Sequence, residues 1–231
     1  MKKKILVVLT NTSRYGDSFE KTGLWLGEAT EFVDEVTKAG YEVDYVSPLG
    51  GEVPLDPRSL EKKYLEDRDR EIMESEDFKN RALHNSLRPD QVKPSDYIAI
   101  YYTGGHGVLW DFPDDTNLQE LASDIYNNGG YIATVCHGIA GILNLKDMKG
   151  DYFIKDRDIT GFTNAEELAG GKSKKVPFFT ENEARKRGAN FKQDIPYKSY
   201  AIKDDRLLSG QNPQSARKVG ELLVESLNFN M

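Results

Sequence analysis

The chain has 231 residues, 38% hydrophobic and 30% charged, with a net charge of −7, an isoelectric point near 5.2 and a mean hydropathy of −0.61. That balance excludes a nucleic-acid partner held through phosphate contacts, and no apolar run approaches the length of a membrane span. A lone cysteine excludes an internal disulfide, argues against the usual zinc site, and agrees with a reducing compartment.

In chain order, "MKKKILVVLT" has the positive start of an export signal, but its apolar stretch is six residues long and gives way to "NTSRYGDSFEK". It reads as a first buried strand, with no export signal and a cytoplasmic setting expected. A helix over 22–40 follows, with Gly40 as its C-terminal signal, and then a strand "YEVDYVS" at 41–47, completing a βαβ unit. Residues 57–88 are dense in charge with only scattered apolar positions, and read as a helical insertion on the surface. The alternation resumes with a strand at 96–102, a helix through 117–130 and the strand "YIATV" at 131–135. Shorter strands are expected at 158–163, 197–202 and 206–210, around a helix near 181–188. The last helix, 212–227, has Asn212 as its cap and Pro213 in its first turn. Strands buried on both faces and separated by helices predict an α/β fold in one domain spanning 1–231: a doubly wound, mostly parallel sheet with helices on both faces.

Functional groups in such sheets gather beyond the carboxyl ends of the strands. Three such places stand out. In "GGYIATVCHGIAGIL" the strand stops at Val135 and a helix begins at once, so Cys136 is placed as on a nucleophile elbow, though with T-V-C-H-G in place of G-x-S-x-G. A helix N-terminus beside the sulfur would favour thiolate. The turn alone is equally consistent with a small buried apolar residue. In "TGGHG", Gly104 and Gly105 can turn backbone N–H groups into the mouth of the sheet as an oxyanion site, and His106 reads first as a structural hydrogen-bonding residue. Glu28 lies beside the apolar stripe of its helix, where burial would raise its pKa and let it hold or shuttle a proton. His137 can share the mouth with Cys136 as a base, oriented by one of the acids Glu166 and Glu167. Spacing does not choose between them.

Together, "KTGLWLGE" (21–28), "YYTGGHGVLWDFP" (101–113), "ATVCHG" (133–138), "ITGFTNAEE" (159–167), "VPFFTE" (176–181) and "LLSGQNPQSA" (207–216) resemble the ThiJ/PfpI superfamily. That superfamily is related to the class I glutamine amidotransferases. The match is to the branch of glutathione-independent glyoxalases and small heat-shock chaperones. The resemblance implies a flavodoxin-like fold, Cys136 as nucleophile, His137 beside it, Glu167 as the acid orienting that histidine, Glu28 as the pocket carboxyl, and oxyanion donors at Gly105 and His137. Members often carry a proline a few residues after the pocket glutamate, whereas "EATEFV" has none. A glutamine-hydrolysing triad is disfavoured, because His84, His106 and His137 leave no histidine after the cysteine turn. A papain-like arrangement fails on order as well.

The reaction this implies converts methylglyoxal, or a related 2-oxoaldehyde, to a 2-hydroxy acid such as D-lactate through a Cys136 hemithioacetal, with either His137 or Glu28 moving the proton. No cofactor, glutathione or metal is called for, and no nucleic acid or membrane partner. The resemblance implies a homodimer. The alternatives are a stress-response holdase chaperone binding unfolded clients, and a protein deglycase or oxidative sensor using the same cysteine.

Overall fold

The computed structural model describes residues 4–229. Strand β1 (Lys4–Val8) leads to helix α1 (Leu26–Lys38) and strand β2 (Glu42–Val46). The charged segment after β2 holds a 3₁₀ turn at Pro57–Leu60, α2 (Asp67–Glu74), α3 (Glu76–Phe78) and a π turn at Lys79–His84. Then come β3 (Tyr97–Tyr102), α4 (Val108–Asp111), α5 (Thr116–Asn127), β4 (Tyr131–Val135) and a 3₁₀ turn at Cys136–Ile142. The remaining elements are β5 (Asp158–Ile159), α6 (Asn164–Ala169), α7 (Thr180–Lys186), β6 (Asn190–Phe191), β7 (Ala201–Asp204), β8 (Leu207–Gly210), a 3₁₀ turn at Pro213–Ser215 and α8 (Ala216–Phe229).

Six strands form one sheet in the order β2-β1-β3-β4-β8-β7. All neighbours are parallel except β7, which runs antiparallel to β8 at the edge. This is the doubly wound, flavodoxin-like arrangement with an added edge strand. Period-two alternation divides the strands between two cores. Ile5, Val7, Ala99, Tyr101, Ala133 and Leu208 pack with Phe32 of α1 and Leu223 of α8. Leu6, Val8, Ile100, Tyr102, Ile132 and Leu207 pack on the opposite face with Leu118 and Ile125 of α5. Successive residues of each strand therefore meet different helices, and both faces are apolar, which is why these strands read as continuous hydrophobic runs.

Several expected elements are shorter than the sequence suggests, because their backbone hydrogen bonds go elsewhere. The first helix starts at Leu26, not residue 22: Leu24 exchanges backbone hydrogen bonds with Pro54 and Asp56, and the Trp25 amide donates to the Gly104 carbonyl. The strand expected at 158–163 is confined to Asp158–Ile159, paired with β6 in a separate two-stranded sheet. That expected at 197–202 begins only at Ala201, since Tyr197 has a left-handed backbone (φ 59°). Asn212 stands at the N-cap position of the 3₁₀ turn Pro213–Ser215 that runs into the last helix, with Pro213 in its first turn as expected, but its side chain makes no capping bond. Its side-chain amide donates instead to Glu166 and to the Lys198 carbonyl, and α8 starts at Ala216.

Candidate active site

β1 is flanked by β2 on one side and β3 on the other, so the crossovers diverge there and leave a crevice beyond the carboxyl ends of the strands. Cys136 sits at this level, directly after β4, with φ 56°. A non-glycine residue in this region costs about 1–3 kcal/mol, and the surroundings hold it there: β4 is paired on both sides, and the Phe162 amide donates to the Cys136 carbonyl (3.1 Å). The elbow is therefore present. Burial, followed by the charge of Glu28, pushes the Cys136 thiol well above its ordinary value, and the His137 amide opposes this only in part. A short 3₁₀ turn gives little dipole to offset desolvation, so burial works against the thiolate that a helix start would favour. The Cys136 Sγ lies 3.3 Å from His137 Nδ1.

Glu28, in the first turn of α1, is fully buried. Its Oε2 accepts the Gly104 amide at 2.6 Å, while Oε1 has no hydrogen-bond partner among the described residues. Burial pushes this carboxyl up to about 8, against the opposing pull of the Cys136 thiol and the Gly104 amide. The Gly104 N–H is thus occupied in orienting Glu28, which corrects its expected place among the oxyanion donors. Gly105 does line the cavity. It must be glycine: its φ is +98°, and a Cβ there would stand 2.2 Å from the Gly23 carbonyl oxygen. This close stacking of 104–105 on 23–25 carries Glu28 to the sulfur.

His137 donates from Nε2 to Glu167 Oε2 (2.7 Å), leaving Nδ1 as the acceptor facing the sulfur. The structure brings Glu167, not Glu166, to the histidine. Glu166 is equally buried but takes Thr163 on Oε2, and Tyr197, Gln211 and Asn212 on Oε1. It caps α6 and ties down the loop before β7. Burial would push Glu167 up, but His137 and then His106 outweigh it and hold the carboxyl well below its ordinary value.

His106 is the residue that sequence reasoning undervalued. Its Nε2 bonds the other oxygen of Glu167, Oε1, at 2.9 Å, and its ring lies 4.3 Å from that of His137. Its Nδ1 faces Arg58 Nη2 at 2.8 Å and the Tyr15 hydroxyl at 3.0 Å. Burial, with His137 nearby, pushes His106 down to about 4. Arg58 and Tyr15 were missed altogether. Arg58 is one of many charges in a segment that reads as solvated surface, and Tyr15 lies in a polar loop, so neither carries a local signal.

Arg58, Gly105, His106, Cys136 and His137 line a cavity of about 250 Å³, walled by Trp25, Tyr64, Phe162 and Tyr197. Its size suits a small metabolite. A ligand atom of His106, one of His137 and one of Glu167 fall within 4.8 Å of one another. Both histidine Nε2 atoms are engaged by the carboxylate, however, and a guanidinium stands at the cluster's edge, so the set suits proton handling better than a cation.

A model of the DJ-1/PfpI family matches residues 20–226. The chain is 36% identical over 237 residues to the glutathione-independent glyoxalase HSP31 of Saccharomyces cerevisiae, covering 97% of this chain and 98% of that one. It is 34% identical over 236 residues to glyoxalase 3 of Candida albicans, covering 98% and 99%. Among solved structures, the Rapid Encystment Protein 24 KDa of Francisella tularensis superposes with a TM-score of 0.93 at 36% identity, over 97% of this chain and 99% of that one. The crystal structure of glyoxalase III from Candida albicans gives a TM-score of 0.85 at 32% identity, over 97% of each chain. With a family model spanning most of its length and relatives matched nearly end to end, the chain belongs to the DJ-1/PfpI family.

Proposed function

We propose that the protein is a glutathione-independent glyoxalase that converts methylglyoxal and related 2-oxoaldehydes to 2-hydroxy acids, D-lactate in the case of methylglyoxal. The observation that carries this reading is the meeting of the Cys136 thiol and an acceptor nitrogen of His137, 3.3 Å apart on the cavity lining, with the buried Glu28 carboxyl behind them, pushed up to about 8. Relatives of similar length bear the names glutathione-independent glyoxalase and glyoxalase 3.

His137 Nδ1 takes the thiol proton as Sγ adds to the aldehyde carbon, and Glu28 gives its proton to the aldehyde oxygen, forming the hemithioacetal. The amides of Gly105 and His137 steady the oxygen while it carries charge. The Glu28 carboxylate then removes the C1 proton, and the imidazolium protonates the C2 oxygen, giving an enediol. Return of the Glu28 proton to C2, with loss of the C1 hydroxyl proton to His137, leaves a thioester of the 2-hydroxy acid. Water adds to the thioester and gives a proton to Glu28. The departing sulfur regains its proton from His137, and the acid is released. Glu167 keeps His137 in the right tautomer throughout and offsets its positive charge.

Turnover of methylglyoxal without added glutathione tests this directly. Cys136→Ala is expected to lower kcat/KM by roughly 10³-fold or more, and undiminished D-lactate formation by that variant would overturn the reading. The same reading makes the protein a cytoplasmic homodimer. The single cysteine supports the compartment and the family resemblance supports the dimer, which sedimentation equilibrium reads. Among the described residues no helix is long and apolar enough to cross a membrane.

A further inference from the structure

Beyond the Cys136–His137–Glu167 set, a second chain of polar groups reaches the same carboxylate through its other oxygen. Asp56 is buried and receives Arg58 Nε on Oδ1 (3.0 Å) and Arg58 Nη2 on Oδ2 (2.8 Å). The same Nη2 reaches the Tyr15 hydroxyl (2.6 Å) and His106 Nδ1 (2.8 Å). A guanidinium has only donors, so His106 Nδ1 must accept and a neutral His106 must carry its proton on Nε2. That proton points at Glu167 Oε1.

We propose that Arg58 is a positioning residue for the catalytic imidazole: anchored on Asp56, it fixes the tautomer of His106, and His106 then occupies one oxygen of Glu167 so that the other faces His137. This rests on the glyoxalase reading for its catalytic consequence, but not for its chemistry. Without Arg58 the His106 ring could flip or take a second proton. Glu167 would then lose a neutral donor or gain a charged one, and its hold on His137 would change. The charged and titratable groups facing His106 are Arg58, Tyr15, Glu167 and His137. Tyr15, pushed up to about 12 by burial, stays neutral, and its hydroxyl can donate to Nδ1 or accept from it, so Arg58 is the group there that can only donate. Arg58 also lines the cavity, so a role in substrate contact must be separated from this one.

The test uses the full chain in three forms: wild type, Arg58→Met, which removes donors and charge, and Arg58→Lys, which keeps the charge with a shorter reach. Imidazole ¹⁵N NMR at pH 7 is expected to show wild-type His106 neutral and protonated on Nε2. In Arg58→Met that signature should change, and His106 should titrate at a higher pH, because an adjacent positive charge is gone. Arg58→Met is expected to lower kcat at least 10-fold with KM altered less than 3-fold, and the acid limb of kcat/KM should move to higher pH. Arg58→Lys should fall between the two. An unchanged His106 signature overturns the proposal, as does a raised KM with unchanged kcat, which would make Arg58 a substrate contact only. If Arg58→Met does not fold, the Arg58→Lys spectrum decides by the same criteria. The NMR arm involves no 2-oxoaldehyde, so failure of the glyoxalase reading would leave it intact and be recognised separately.

Discussion

Glu28 keeps its proton to about pH 8 because it is fully buried, with only the Cys136 thiol and the Gly104 amide to favour its charged form. The proposed chemistry needs that proton at the first step. Turnover is therefore expected to decline on the alkaline side, with kcat/KM reporting one ionisation near pH 8. Glu28→Gln preserves an acceptor for the Gly104 amide but cannot transfer a proton. It should lose about 10²–10⁴-fold in kcat and show no such limb. An alkaline limb that persists in Glu28→Gln would assign it to another group. The neighbouring thiol illustrates the same physics with a different consequence. Burial raises Cys136 as well, which gives the base at 3.3 Å its part in the proposed activation.

At the scale of elements, the geometry depends on how closely the turn 136–142 presses on the end of β3. A Cβ at Gly138 would stand 2.3 Å from the Tyr102 carbonyl oxygen and 2.7 Å from that of Thr103. Both are backbone atoms with no freedom to move aside. Gly138→Ala should push the turn away from β3 and carry Cys136 away from Glu28 and Gly105. We expect it to destabilise the protein by about 1–3 kcal/mol, read as a lower urea midpoint at unchanged slope, and to reduce kcat/KM more than 10-fold. Wild-type turnover in a folded Gly138→Ala protein would show that the turn tolerates displacement. The loop before β7 depends on a carboxylate in a similar way, since Glu166 accepts both the Tyr197 amide and the Asn212 side chain.

The whole molecule carries opposing titrations. Burial pushes Glu28 up to about 8, Glu31 to about 7 and Asp111 to about 6. Folded chains thus hold protons that unfolded chains have released, and stability falls as pH rises through these values. In the other direction burial, with help from His137, lowers His106 to about 4, and Glu167 and Asp56 are held below their ordinary values by their partners. Here the unfolded chain binds protons that the folded one does not, and stability is lost as pH falls. Thermal melts across pH should give a maximum near pH 5, with a decline on each side. Glu28→Gln should flatten the alkaline decline, gaining on the order of a few kcal/mol by pH 8. A melting temperature that rises steadily from pH 5 to 8 would contradict this balance.

By itself the sequence determined the parallel sheet and its order of elements, because apolar runs such as "KILVVLT" and "YIATV" need cover on both faces. It also pointed to Cys136, His137 and Glu28 as candidates for one mouth, but Glu28 falls in the first turn of its helix only because the structure starts α1 at Leu26. Only the tertiary structure decided what crosses between segments distant in sequence. It chose Glu167 over its neighbour, because α6 turns one carboxylate toward the histidines and the other toward Thr163, Tyr197 and Asn212. It assigned the Gly104 amide to Glu28, and it brought Arg58 and Tyr15 to His106 from a charged surface segment and a polar loop. Such contacts depend on the path of loops and the direction of single side chains, which neither periodicity nor composition encodes. The state of the sulfur was likewise a tertiary matter, because desolvation belongs to the packed site and not to the residues of the turn.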